Sequence, residues 1–302
     1  MTLIDPPLPG EVTQLTPELQ CILAPNPSPM TGPGTNTYIF GDRIVAVIDP
    51  GPNDASHFGA IQAALSDRVV SHIFVTHSHL DHSPLARPLA DATGAPIVAF
   101  GDTFAGRSDV MTQLANAGMT GGGEGLDHSF RPDMLVTDEE IVEVDGKELT
   151  VLHTPGHLGN HISLRWGDAI FVGDTVMAWS TSLVSPPDGD MADFLRSCER
   201  LRAQDARIFY SGHGAPITAP NARLDELIAH RIARTAAILT ALRAGPASVM
   251  DLVKTIYTDI DQALYVAAGR NVFAHLVALV TAGQVSAQPM LSPEAVFALQ
   301  QP

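Results

Sequence analysis

The chain has 302 residues, 45% of them hydrophobic, with 17 Lys and Arg against 33 Asp and Glu and a formal charge of −16. That is apolar material for one large core and a smaller one, under a surface too acidic to gather polyanions by its long-range field. No apolar run approaches the ~18 residues of a membrane span; the opening Met1-Thr2-Leu3-Ile4-Asp5-Pro6-Pro7 has no basic or apolar signal region; and Cys21 and Cys198 read as packed thiols, so a cytoplasmic protein without a membrane partner is expected.

Residues 1–17, with Pro6, Pro7 and Pro9, read as an irregular arm, and Leu19–Leu23 as the first strand. Pro25, Pro27 and Pro29 stiffen the next loop and exclude a helix or central strand there. Tyr38-Ile39-Phe40 and Ile44–Ile48 then pair as strands around Gly41-Asp42, a short-range hairpin signal. Asp49, at the tip of the second strand, is a candidate for orienting a metal-bound histidine, with an ordinary turn aspartate as the plain alternative. Residues 57–66 read as helix and 72–76 as a buried strand.

That strand runs into Thr76-His77-Ser78-His79-Leu80-Asp81-His82-Ser83-Pro84. Packing does not explain so many imidazoles beside a carboxylate in one turn, whereas these are the ligands that Zn²⁺ and similar borderline ions take. His77 and His79 alternate along extended backbone and can point to one side. Asp81 and His82 follow the turn and can serve a second ion.

A helix–strand alternation then reaches Phe100. Residues 101–135 are less regular, with Gly118, Gly121, Gly122, Gly123 and Gly125 crowding the middle. No Gly-Lys-Ser/Thr ending marks a phosphate loop; the segment reads as a mobile surface loop, with a flap over substrate as the sharper alternative. Leu152–His157 is a strand running into a Pro-Gly turn that ends in His157; Ala169–Thr175 delivers Asp174; Ile208–Gly214 places His213 between glycines. One such histidine is ordinarily just hydrogen-bonded. Four successive strand ends, each with a ligand-competent side chain at a glycine- or turn-rich tip, point to a metal pair. His128, His153 and His161 receive no ligand role, and His161 is the candidate for a supporting position.

After His213 the texture becomes helical. Pro216–Pro220 reads as a linker, Asn221 as an N-cap, and Leu224, Leu227, Ile228, Ile238, Leu239 and Leu242 fall at helical spacing. A short helix at 248–257, a longer one at 261–281 and a tail complete a winged-helix-like module. Residues 221–302 hold equal numbers of basic and acidic residues, so the acidic excess sits in 1–220.

His-x-His-x-Asp-His, Thr-Pro-Gly-His, Gly-Asp-Thr and Gly-His-Gly together resemble the metallo-β-lactamase superfamily over about residues 20–218. The resemblance implies an α+β fold, an αββα sandwich of two mixed sheets with metals at one edge. It implies His77, His79 and His157 on a first ion, Asp81, His82 and His213 on a second, and Asp174 between them. The cofactors would be two divalent ions, zinc first, with iron and manganese as alternatives. The chain then divides into a catalytic domain, 1–218, and a winged-helix-like C-terminal domain, 221–302. Gly34-Thr35-Asn36-Thr37-Tyr38, Ala229–Arg234 and Ala267–Leu276 resemble more narrowly the metallo-β-lactamase-like protein 2 group, which includes a mitochondrial single-stranded-RNA endonuclease in animals.

Two adjacent ions can share a bridging hydroxide formed at neutral pH. Asp81, which can ligate one ion and keep an oxygen on that water, is the candidate catalytic residue for orienting it and moving its proton. No Gly-x-Ser-x-Gly elbow suggests covalent catalysis. The expected function is a dinuclear-metal-dependent hydrolase of a small-molecule ester, lactone or thioester. A single-stranded-RNA endoribonuclease is the alternative, favoured by the narrower resemblance and disfavoured by charge. DNA is not an expected partner, because 261–281 carries one basic residue, Arg270, where phosphate contacts need several. The C-terminal module is expected to pack on the catalytic domain, wall the metal cleft or support a homodimer.

Overall fold

Period-two alternation puts apolar side chains on both faces of the first sheet. In β3 (Asn36–Gly41), Tyr38 and Phe40 face one way and Ile39 the other; in β4 (Ile44–Ile48), Ala46 and Ile48 oppose Val45 and Val47. A sheet apolar on both faces has to be covered on both. The computed structural model, which describes residues 7–122, 125–258, 261 and 264–300, shows what covers it. One face receives helices α1 (Ala55–Leu65) and α2 (Ala86–Thr93) through Ile61, Leu65 and Leu89. The other packs on a second sheet, where Tyr38 and Phe40 meet Phe171 edge-on at 5.3 and 6.2 Å between ring centroids.

The first sheet has the order β1 (Val12–Thr16), β2 (Leu19–Leu23), β3, β4, β5 (Val69–Phe74), β6 (Ile97–Ala99), β7 (Met134–Leu135), antiparallel as far as β4 and parallel beyond. The second has the order β12 (Ile208–Ser211), β11 (Ala169–Gly173), β10 (Ile162–Trp166), β9 (Lys147–His153), β8 (Ile141–Val144), with β11 and β12 parallel and the rest antiparallel. Helix α4 (Met191–Ala203) lays Phe194, Cys198 and Leu201 on its outer face. Helices, sheet, sheet and helices in that sequence make the expected αββα sandwich of two mixed sheets.

The C-terminal region comprises α5 (Pro220–Leu242), α6 (Val249–Ile256), α7 (Tyr265–Thr281) and a small antiparallel sheet of β13 (Ala247–Ser248), β15 (Val296–Leu299) and β14 (Val285–Gln288). The tail is thus the wing of a winged helix. Among the described residues no sheet takes strands from both sides of residue 218. Side-chain packing is less divided. Leu224 and Leu227 of α5 and Ala274 of α7 join the apolar cluster of α4. Met111 and Leu114 of α3 (Asp109–Asn116) sit in the cluster built around Phe273 and Phe297.

Some expectations change here. The arm at 1–17 contains a strand, because its prolines, Pro6, Pro7, Pro9 and Pro17, flank Val12–Thr16 and leave it free to pair with β2. The irregular segment 101–135 contains α3, whose apolar residues look unpartnered until the distant module covers them. Gly123 lies outside the described residues. Helix α5 starts at Pro220 with Ala219 at its cap, while Asn221 sits inside the first turn and donates to Asp205. Proline wins the first position because its missing N–H costs nothing there. Helix α7 begins at Tyr265, and 259, 260, 262 and 263 lie outside the described residues. Cys21 and Cys198 are free, buried thiols, and no helix among the described residues is long and apolar enough to cross a membrane.

If α3 belongs to the module's core, Met111→Ala should lower the unfolding free energy by about 2–5 kcal/mol, the range for truncating a buried side chain. Urea denaturation measures this. A loss below ~0.5 kcal/mol, the usual surface effect, would make α3 a peripheral loop helix.

Candidate metal centre

Four strand ends meet along one edge of the sandwich. The chain leaving β5 carries His77, His79, Asp81 and His82; that leaving β9 carries His157; β11 ends at Asp174 and β12 at His213. The two sheets are tied together here through backbone. Asn36 donates its N–H to Gly212 O at 2.8 Å and its side-chain amide to Ser211 O and Gly214 O, and Ile162 N–H donates to Thr76 O at 2.8 Å. Gly212 has to be glycine, since a Cβ would stand 2.4 Å from Asp174 Oδ1 and 2.7 Å from His82 Cε1.

The predicted residues fall into two buried groups, His77, His79 and His157 in one and Asp81, His82, Asp174 and His213 in the other, with donor atoms inside each group all within 4.8 Å of one another. His79 Nδ1 and His157 Nε2 are 3.0 Å apart. In the second group Asp81 Oδ2 is 3.3 Å from His82 Nε2 and 3.2 Å from His213 Nε2. Asp174 reaches both groups: its Oδ2 is 3.2 Å from His213, 3.6 Å from His157 and 4.0 Å from His77, and its Oδ1 is 3.5 Å from His82. Ligands ~2.0–2.1 Å from a tetrahedral ion stand about 3.3 Å from each other, so these separations fit. His77 Nε2, His82 Nε2 and Asp174 Oδ1 are also buried without a hydrogen-bond partner, which a native interior rarely tolerates unless an ion takes them.

The far side of four of the five imidazoles, those of His77, His82, His157 and His213, is held by a partner that fixes its direction. His82 Nδ1 donates to Asp49 Oδ2 at 3.0 Å. Asp49 also accepts from Thr76 N–H and Thr76 Oγ1, both at 2.7 Å, and Thr76 Oγ1 in turn accepts from His77 Nδ1 at 3.0 Å. One carboxylate thus aims two histidines, and it does so at a φ of 52°, a left-handed conformation that non-glycine residues hold only under constraint. His157 Nδ1 donates to Leu183 O at 2.7 Å and His213 Nδ1 to Gly34 O at 3.1 Å. His161 accepts from Asp174 N–H at 3.1 Å and donates to Thr154 Oγ1 at 2.9 Å, a supporting role as expected. His153 binds Gly159 O and stacks on Phe100, away from the two groups. Thr76, Thr154 and the carbonyls of Gly34 and Leu183 were not anticipated. Thr76 could have been suspected from its place before the motif; a backbone carbonyl leaves no trace in sequence.

Charge separates the groups. Burial holds His77 well down and brings His79 to about 3, so both are neutral and ready to donate a lone pair. Burial opposes the charged forms of His82 and His213 as well, but Asp81 and Asp174 hold His82 well above the ordinary imidazole range, and Asp174 brings His213 to about 10. Burial likewise works to raise both aspartates; the charge of His82 on Asp81 and that of His213 on Asp174, with His213 Nε2 3.2 Å from both carboxylates, keep them below the usual carboxylate range. The carboxylates demand positive charge between them, which imidazolium or a divalent ion can supply.

Residues 30–213 match the metallo-beta-lactamase superfamily, and 248–289 match the beta-lactamase associated winged helix domain. A beta-lactamase-like protein 2 homolog of Drosophila melanogaster is 30% identical over 290 residues, 91% of this chain and 91% of its own. An atrochrysone carboxyl ACP thioesterase of Paecilomyces divaricatus is 28% identical over 273 residues, 85% of this chain and 77% of its own. A metallo-beta-lactamase family protein of Thermus thermophilus superposes with a TM-score of 0.74 at 26% identity, over 95% of this chain and all of that one.

Metal uptake should therefore release protons unequally. Below its raised pKa each imidazole of the second group is protonated, so at pH 7 a divalent ion should displace about two protons, one each from His82 and His213, and none from His77 or His79. Calorimetry of metal-free protein in buffers of different ionisation enthalpy counts them. Heats that do not vary with buffer would mean that the second group is neutral beforehand.

Proposed function

The chain belongs to the metallo-β-lactamase superfamily, and from that premise we propose that this metal-dependent hydrolase acts on the thioester, ester or lactone carbonyl of a small molecule. The observation that carries the reading is the mouth of the site. Beside the candidate ligands it is lined by Met30, Met177 and Leu183, leaves about 20 Å³ of free space, and has no lysine or arginine in its wall among the described residues. Trp179 packs over Gly214, next to His213, and is 46% exposed; Leu80, between His79 and Asp81, is 44% exposed. A space that size admits one water-sized group, so the reacting carbonyl enters and the rest of the substrate rests on an apolar rim. A phosphodiester chain would need basic contacts on either side of the scissile bond.

In this reading His77, His79 and His157 would hold one ion and Asp81, His82 and His213 the other, with Asp174 within reach of both groups. The five histidines and two aspartates suit zinc first, and iron or manganese as alternatives. Bound there, the ions supply an activated water at neutral pH and polarise the carbonyl oxygen. Asp81 Oδ2 lies beside the ligand nitrogens of His82 and His213 and would join them on the ion, which leaves its unpartnered Oδ1 to accept the proton of an attacking water. Asp49, Thr76 and the Leu183 and Gly34 carbonyls keep the imidazoles aimed. The apolar rim excludes bulk water from the reacting group. The thioesterase relative supports the thioester among the three carbonyl classes. Residues 1–218 are taken as the catalytic domain and 221–302 as the module beside it.

Metal-loaded protein assayed on acyl thioesters, esters, lactones and single-stranded RNA tests the reading. Carbonyl turnover is expected, with RNA left intact. Asp81→Ala should lower that turnover by at least about 10²-fold, the range for losing a general base, while keeping the fold by circular dichroism. RNA cleavage that His79→Ala abolishes, without carbonyl turnover, would replace this reading with a ribonuclease.

A further inference from the structure

Arg231 of α5 is 1% exposed, one of the largest fully buried side chains, and forms no salt bridge to a carboxylate among the described residues. Its Nη2 donates to Ser182 O at 2.5 Å and its Nη1 to Asn271 Oδ1 at 2.8 Å, while the guanidinium carbon stands 5.3 Å from the centroid of the Phe194 ring. Nε has no partner. Burial lowers the pKa to about 10, so the group stays charged at neutral pH. A buried cation answered by neutral dipoles is costly, and an apolar side chain of like volume would ordinarily serve stability better. The explanation lies in what the guanidinium grips.

Between Asp174 and α4 the chain runs without helix or strand, so its buried carbonyls need partners from elsewhere. Helix α5 supplies them. Arg223 donates to Met177 O at 2.8 Å and Ser180 O at 2.7 Å; Arg231, about two turns further on, takes Ser182 O. Ser182 is itself buried, and its Oγ donates to Thr175 O, the residue after Asp174, at 2.9 Å. The next carbonyl, of Leu183, receives His157 Nδ1. Ser182-Leu183 is thus a two-residue link with the module's arginine on one side and two candidate ligands on the other.

We propose that Arg231 is a positioning residue for the metal centre: by fixing Ser182-Leu183 it aims His157, so that the C-terminal module completes a site whose ligands all belong to the other domain. This deepens the role usually left to such a module, from packing to setting ligand geometry, and it rests on the metal reading given above.

The experiment uses full-length protein. Metal affinity is measured by chelator competition, and the visible spectrum is recorded for the cobalt(II)-loaded form. Wild type should bind two ions per chain; if it does not, the metal reading fails, whatever Arg231 does. With two ions bound in wild type, Arg231→Met should weaken one of them by about 10–100-fold, the usual cost of losing a partner behind a ligand. It should also shift the cobalt spectrum and lower kcat more than it changes KM. Arg231→Lys, which keeps a donor for Ser182 O, should restore part of each. Wild-type affinities and an unchanged cobalt spectrum in Arg231→Met, even with a lower melting temperature, would overturn the proposal and leave Arg231 a packing residue. Should Arg231→Met not fold, Asn271→Ala decides. It frees one guanidinium nitrogen and keeps the charge, and at least about a 3-fold loss of affinity for one ion is expected; wild-type affinity there would overturn the proposal equally.

Discussion

Asp81 and Asp174 are both buried and share the same pair of imidazoles, His82 and His213, at 3.2–3.5 Å. Unit charges ~4 Å apart repel by about 4 kcal/mol even at an effective dielectric near 20, so the two carboxylates cannot stay ionised in a dry interior without cationic charge between them. The rest of the molecule follows from that demand. It accounts for the raised His82 and His213 and for donor separations near the edge length of a tetrahedral ion, while burial, against the pull of Asp174, keeps His77 and His79 neutral.

Meeting the demand requires imidazoles that cannot turn away, and the fold provides this through side chains and backbone carbonyls in equal measure. Asp49 fixes two histidines from one strained position, and the carbonyls of Gly34 and Leu183 fix two more. These anchors come from the ends of first-sheet strands and from the loop after Asp174, while His157 and His213 leave the second sheet, so the site needs the sandwich closed. Asn36 and Ile162 close it within one or two residues of the candidate ligands or their partners. Stability and site geometry share the same hydrogen bonds, and a change at the sheet junction cannot leave the site alone.

The parts legible in sequence were those in which residue type carries the chemistry. His77, His79, Asp81 and His82 announce themselves by density, and His157, Asp174 and His213 by standing at the ends of apolar runs. β2 and the β3–β4 hairpin were plain from alternation and from Gly41-Asp42. What could not be read depends on partners remote in the chain. Met111 and Leu114 mean little until Phe273, some 160 residues later, lies against them. Arg231 looks like one more surface charge on an amphipathic helix until Ser182 and Asn271 enclose it. The cap of α5 was misassigned because two favourable signals, Pro220 and Asn221, adjoin, and local preference alone does not rank them.

The same distinction explains why the ligand set says so little about substrate. Leu80 occupies the unspecified position between His79 and Asp81, Met30 sits in the proline-rich loop, and Trp179 in the segment after Asp174. None of them is a ligand, and each is carried by a segment that also positions one. Rim chemistry can therefore change while the candidate ligands stay in place, as long as the anchoring carbonyls do not move. Helix α5 grips that last segment through the carbonyls of Met177, Ser180 and Ser182, which flank Trp179. The module that holds the His157 anchor thus also holds one wall of the mouth. The stretch 176–183 therefore carries both a rim residue, Trp179, and the carbonyl behind His157, and a substitution in it should be read for both.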